Sequence, residues 1–143
     1  MSIITLLTDF GDTDEYVGVV KGVILSIAPE SRIVDLTHKI DPQDVSRAAW
    51  MLEAAYPYFP KGTVHIAVVD PGVGSDRKIV AVKIDGHIFL APDNGLLSVV
   101  WRDKKIEACV YVQESGNFLS KVSRTCHGRD IFAPVAARLS SGL

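Results

Sequence analysis

Short unbroken apolar runs alternate along this chain with stretches whose apolar residues recur every three or four positions. IITLLT (3–8) and TVHIAVVD (63–70) show no in-and-out alternation, as expected of strands covered on both faces. Between them, Val17, Val20, Val23, Ile24 and Ile27 keep a helical spacing that Pro29 closes, which predicts a helix from residue 16. RIVDLTHKI (32–40) predicts a second strand ending near Asp35 to His38, and Asp44 is placed to cap a helix over 44–59. Strands follow at 78–84 and 87–93, joined by Asp85-Gly86, a strong two-residue hairpin signal. A short helix over 94–103, a strand over 106–112, a loop over 113–130 and a helix ending at Gly142 complete the pattern. Strands alternating with helices predict an α/β fold, a three-layer domain with a largely parallel central sheet flanked by helices. In such sheets ligands collect at the carboxyl ends of the strands.

Composition narrows the class. The chain has 143 residues, one domain's worth, with 48% apolar and 22% charged residues. Its 15 basic and 17 acidic residues form no basic stripe, which argues against a nucleic-acid partner. Cys109 and Cys126 have neither C-x-x-C nor zinc-like spacing and read as reduced thiols. The N-terminus lacks a basic region and reaches an acid at Asp9, unlike a signal peptide, and no apolar run approaches the ~20 residues of a membrane span. The expectation is a cytoplasmic domain with no membrane or nucleic-acid partner.

Three strand ends carry polar groups: Asp9 after the first, Asp35 to His38 after the second, and Asp70 after the third. An aspartate after a strand is often only a turn former, but several such junctions on one sheet edge converge. The loop Asp70-Pro71-Gly72-Val73-Gly74 admits three readings: a structural turn, a phosphate cradle, or a catalytic edge. Its glycines do not match either common phosphate-binding motif. As a catalytic edge it offers a carboxylate with a cation, Arg77, seven residues on. His127, followed by a glycine just ahead of a helix, is a candidate base, since an unperturbed histidine has a pKa of ~6.5. Asp9, Asp35, His38, Asp70 and His127 also compose a possible metallohydrolase set, without the spacing of a recognised metal motif. His65 and His87 lie in strand-like segments and read as packing or edge residues.

Five blocks in register resemble one family: LTDFGDTDEYVGVVKG (7–22), IVDLTHKIDPQDVSRAA (33–49), FPKGTVHIAVVDPGVG (59–74), APDNGLL (91–97) and HGRDIFAP (127–134). They look like the N-terminal domain of the S-adenosylmethionine hydrolase (hydroxide adenosyltransferase) family, related to the fluorinase and chlorinase enzymes. The resemblance implies cleavage of S-adenosylmethionine to adenosine and L-methionine by hydroxide attack on ribose C5′, with no metal and no other cofactor. It places a catalytic Asp-Arg-His set on Asp70, Arg77 and His127, and the ribose-hydroxyl ligand on Asp9. Asp14 falls where related enzymes meet the methionine end, and Gln43 where they flank the ribose. The halogenating relatives carry an aromatic and a hydroxyl residue where this chain has Asp70 and Val73, and a carboxylate there repels a halide. The resemblance also implies a β-rich C-terminal domain beyond these residues, and a homotrimer in which a neighbour's C-terminal domain touches adenine and methionine. The chain is thus expected to be the N-terminal part, 1–143, of a longer protein. A non-catalytic nucleoside-binding domain and a metal-dependent hydrolase are the alternatives.

Overall fold

The computed structural model describes residues 2–73, 77–112 and 128–141. Six strands run in chain order as β1 (Ile3–Thr8), β2 (Arg32–Thr37), β3 (Val64–Val68), β4 (Ile79–Ile84), β5 (His87–Pro92) and β6 (Ile106–Tyr111). They form one sheet in the order β2-β1-β3-β5-β4-β6. β1 pairs in parallel with β2 and β3, and β3 with β5; β4 is antiparallel to both β5 and β6. The sheet is mixed and mostly parallel, and the antiparallel part follows from the hairpin at Asp85-Gly86. Both hairpin residues have positive φ, 53° and 78°, the combination that lets a two-residue turn follow the strand twist.

The unbroken apolar runs bury both faces of the central strands. Ile4, Leu6, Val64, Ile66 and Val68 point to one layer, where Val20 and Ile24 of α1 (Tyr16–Ile27) meet Ala133 and Ala136 of α4 (Ala133–Ser140). Leu7, Ala67, Val69 and Phe89 point to the other, against Ala48 and Leu52 of α2 (Val45–Ala55) and Val100 of α3 (Ser98–Trp101). Burying each of the Val, Leu, Ile and Phe side chains stabilises the fold by about 1.5–3 kcal/mol, and each alanine by less. Asp44 caps α2 as expected, its carboxylate accepting from Arg47 N at 3.0 Å. The helix is shorter than its sequence pattern because Pro57 leaves only a 3-10 turn at Tyr56–Tyr58. The predicted helix over 94–103 contracts to the four residues of α3, and the last helix begins earlier, with a π-helical turn at Gly128–Phe132.

The two edges differ from the interior. β2 is partly exposed, and every residue of β6 is exposed, including the free thiol of Cys109; Cys126 lies outside the described residues. Among the described residues no helix is long and apolar enough to cross a membrane. The chain runs from β1 to β2 on one side, then crosses back over β1 to β3 on the other. That reversal makes the carboxyl ends of β1 and β3 the switch point, where open α/β sheets form their ligand crevice.

Candidate active site

Asp9 and Asp70 emerge at this switch point. Thr8 is the register partner of Val68, so the two aspartates leave adjacent parallel strands at the same end. The Asp70 side chain is only 5% exposed and that of Arg77 11%. Arg77 Nε donates to Asp70 Oδ2 at 2.9 Å, and Nη2 donates to the same oxygen. Asp70 Oδ1 is buried and has no hydrogen-bond partner among the described residues. Burying two charges costs several kcal/mol per ion before their attraction is counted, and apolar residues often serve stability as well. A buried carboxylate with one oxygen committed and one open is suited to accepting a proton or a hydrogen bond from something that enters the crevice.

Asp9 is held differently. Its Oδ2 accepts from the backbone N–H of Gln43 at 3.1 Å, which brings two of the sequence-predicted residues together. Gln43 has φ 67°, a left-handed conformation that costs a non-glycine residue roughly 1–2 kcal/mol. Such strain persists where the surrounding structure imposes it, and it clusters at ligand sites. What Gln43 offers Asp9 is thus its turned backbone. Asp14 is exposed, and its Oδ1 accepts from Tyr16 N at 3.0 Å at the start of α1. His127 lies outside the described residues.

Asp35 and His38 are committed elsewhere than to a metal. His38 Nε2 stands 2.7 Å from Asp35 Oδ1, Lys21 Nζ donates to Asp35 Oδ2 at 2.7 Å, and His38 Nδ1 lies 2.7 Å from Thr8 Oγ1. Burial works to raise Asp35, but its contacts with Lys21 and His38 outweigh it and hold the carboxyl below its ordinary range. Among the described residues no three His, Cys, Asp or Glu side chains gather as a metal group. His65 and His87 are buried packing residues as expected, with His65 Nε2 3.1 Å from His87 Nδ1.

Two contributors were not anticipated. Asn94 donates through Nδ2 to the carbonyl of Val69 at 2.9 Å and accepts from Leu96 N, which pins the backbone just before Asp70. Thr8 links β1 to His38. The Asn94-Gly95 turn after β5 was a sequence signal for the first; a threonine closing an apolar strand was none for the second.

A model of the S-adenosylmethionine (SAM) hydroxide adenosyltransferase N-terminal domain matches residues 4–143. The chain belongs to this family. It is 41% identical over 140 residues to an (R)-S-adenosyl-L-methionine hydrolase of Salinispora arenicola, covering 97% of this chain and 53% of that protein. A Thermus thermophilus protein of the same name is 43% identical over 152 residues, covering 100% of this chain and 58% of its own length. A fluorinase of an Actinoplanes species is more distant, at 28% identity over 163 residues, covering 98% of this chain and 55% of the fluorinase. The crystal structure of an uncharacterized conserved protein from Thermotoga maritima superimposes with a TM-score of 0.94 at 44% identity, covering 98% of this chain and 55% of that one. The chain spans about half the length of the curated relatives it matches. Asp9, Asp70 and Arg77 all lie within the residues that match this N-terminal domain.

Proposed function

We propose that this domain carries the water-activating side of an enzyme that hydrolyses S-adenosyl-L-methionine to adenosine and L-methionine. The observation that carries the reading is the buried Asp70 carboxylate, with Oδ2 held by Arg77 and Oδ1 open. The names of the relatives at about 40% identity support the substrate.

The reaction breaks the bond between C5′ and the sulfonium sulfur, and the bonding pair leaves with sulfur as neutral methionine. A neutral thioether needs no acid to depart. Water supplies the new C5′–O bond and must lose a proton, which is the difficult step because bulk water is a very weak acid. Asp70 Oδ1 accepts from that water, Arg77 stabilises the developing hydroxide, and His127 takes the proton onward. Asp9 accepts from the two vicinal ribose hydroxyls and so anchors the nucleoside in the crevice. Water held beside Asp70 and Arg77 in line with C5′ lowers the barrier by several kcal/mol, on the order of 7 in favourable cases. Asp14 contacts the methionine end, and Gln43 flanks the ribose. A second, β-rich domain from a neighbouring subunit of a homotrimer closes over adenine and methionine. No metal or further cofactor takes part.

The test is chromatography of products after incubating the protein, in its full natural length, with S-adenosylmethionine. Adenosine and methionine in equal amounts are expected. Absence of adenosine, or methylthioadenosine in its place, overturns the reading.

A further inference from the structure

Asp9 owes its placement to a chain of contacts that reaches from the end of β1 to residues beyond it. Phe10 N donates to Thr8 Oγ1 at 3.1 Å, and Thr8 Oγ1 meets His38 Nδ1 at 2.7 Å. On the far side of the ring, His38 Nε2 meets Asp35 Oδ1, and Lys21 holds the other oxygen of Asp35. An ionised carboxylate only accepts, so Nε2 carries the proton. In the neutral ring Nδ1 is then an acceptor, and the Thr8 hydroxyl donates to it. That leaves the lone pairs of Thr8 Oγ1 facing the Phe10 amide. The chain of hydrogen bonds has one direction, and every donor in it finds an acceptor.

The same histidine holds the loop a second time. Gly11 N donates to the His38 carbonyl at 2.7 Å, and Gly11 has φ 76°, the turn that brings its amide back to β2's loop. Residue 38 therefore grips both ends of the segment 8–11, with Asp9 between the two grips. Ile40 N reaches the Thr8 carbonyl at 3.4 Å, and Gln43 N reaches Asp9 itself. Thr8 is 1% exposed and His38 9%, so water is poorly placed to replace a lost partner.

We propose that His38 is a positioning residue for Asp9, fixing loop 8–11 through its ring and its carbonyl so that the Asp9 carboxylate faces the ribose hydroxyls. It touches no substrate and acts through Thr8 and Gly11. The proposal rests on the ribose-binding part of the function proposed above. Ribose hydroxyls are held equally before and during bond cleavage, so loss of this grip weakens substrate binding more than it slows the bound complex.

The experiment compares wild type with His38→Ala, His38→Asn and His38→Gln in the full natural chain, measuring kcat and KM for S-adenosylmethionine, Kd for adenosine by calorimetry, and melting temperature. An asparagine oxygen can occupy the place of Nδ1 and keep the Thr8 link, whereas glutamine reaches the Nε2 place and keeps only Asp35. His38→Ala and His38→Gln should raise KM and the adenosine Kd tenfold or more, with kcat changing less than threefold. His38→Asn should restore both to within about threefold of wild type. A purely structural histidine would make binding follow melting temperature, whichever link is kept. Equal binding by the Asn and Gln variants, or unchanged binding in His38→Ala, overturns the positioning role. If wild type binds adenosine but releases none from S-adenosylmethionine, the hydrolase reading falls, and the adenosine Kd values alone decide the role of His38. Failure of wild type to bind adenosine overturns both.

Discussion

Substituting His65→Gln removes a ring that burial holds far from its ordinary protonation range. His65 is fully buried, with Thr5 Oγ1 2.7 Å from Nδ1, His87 3.1 Å from Nε2, and Tyr56, Phe59 and Phe89 around the ring. Asp85, Lys61 and Lys104 are the charged groups around this cluster, with Lys104 donating to the Tyr56 hydroxyl and Tyr56 to Asp85. Desolvation, with a smaller contribution from His87, lowers the His65 pKa from 6.5 to about 3. The unfolded chain therefore takes up a proton at this residue below pH 6.5, while the fold resists until about pH 3. Stability contributed by the neutral ring is complete above 6.5 and is lost as pH falls through that window. At 1.36 kcal/mol per pH unit, the loss reaches about 2 kcal/mol by pH 5 and about 3 by pH 4. Carboxylates also titrate there, so the informative quantity is the difference between wild type and His65→Gln. Urea unfolding of both proteins from pH 7 to pH 5 should show the wild type losing about 2 kcal/mol more than the variant. The variant is expected to be less stable at pH 7, which does not enter the comparison. Parallel pH profiles for the two proteins would show that burial does not keep the His65 ring neutral.

Other consequences follow from the site. Asp70→Asn keeps volume and a hydrogen-bonding oxygen but removes the charge, and should lower kcat at least 100-fold with KM changed little, measured by adenosine release. Gln43→Gly relieves the left-handed backbone and should raise stability by about 1 kcal/mol in urea unfolding. Excess chelator should leave turnover unchanged, because Asp70 is committed to Arg77 and Asp35 to Lys21 and His38. Incubation with fluoride or chloride should yield no halogenated nucleoside by mass spectrometry, since the proposed nucleophile site holds the Asp70 carboxylate, which repels an anion.

The strands and their order of use were legible because β1 and β3 are covered on both faces and so carry no polar interruption. The hairpin was legible from two residues, Asp85 and Gly86. The lengths of α2 and α3 were not, because Pro57 and the Asn94-Gly95 turn decide them locally against an apolar pattern that continues. The pairing of Asp70 with Arg77 could be anticipated from a carboxylate and a cation placed seven residues apart at the end of a strand. Its burial could not, because that depends on which strands flank β3. The role of His38 was hidden for the same reason: Thr8 and His38 lie 30 residues apart and meet only because β1 and β2 pair in parallel. Sequence marked Asp35 and His38 as polar strand-end residues, and it took the fold to show that their partners are Lys21 and Thr8.

The central claim is that water, activated beside Asp70, attacks C5′. Turnover in water enriched in oxygen-18, followed by mass spectrometry of both products, tests it most directly. One labelled oxygen is expected in the 5′-hydroxyl of adenosine and none in methionine. Unlabelled adenosine, or label in the amino-acid product, would contradict it.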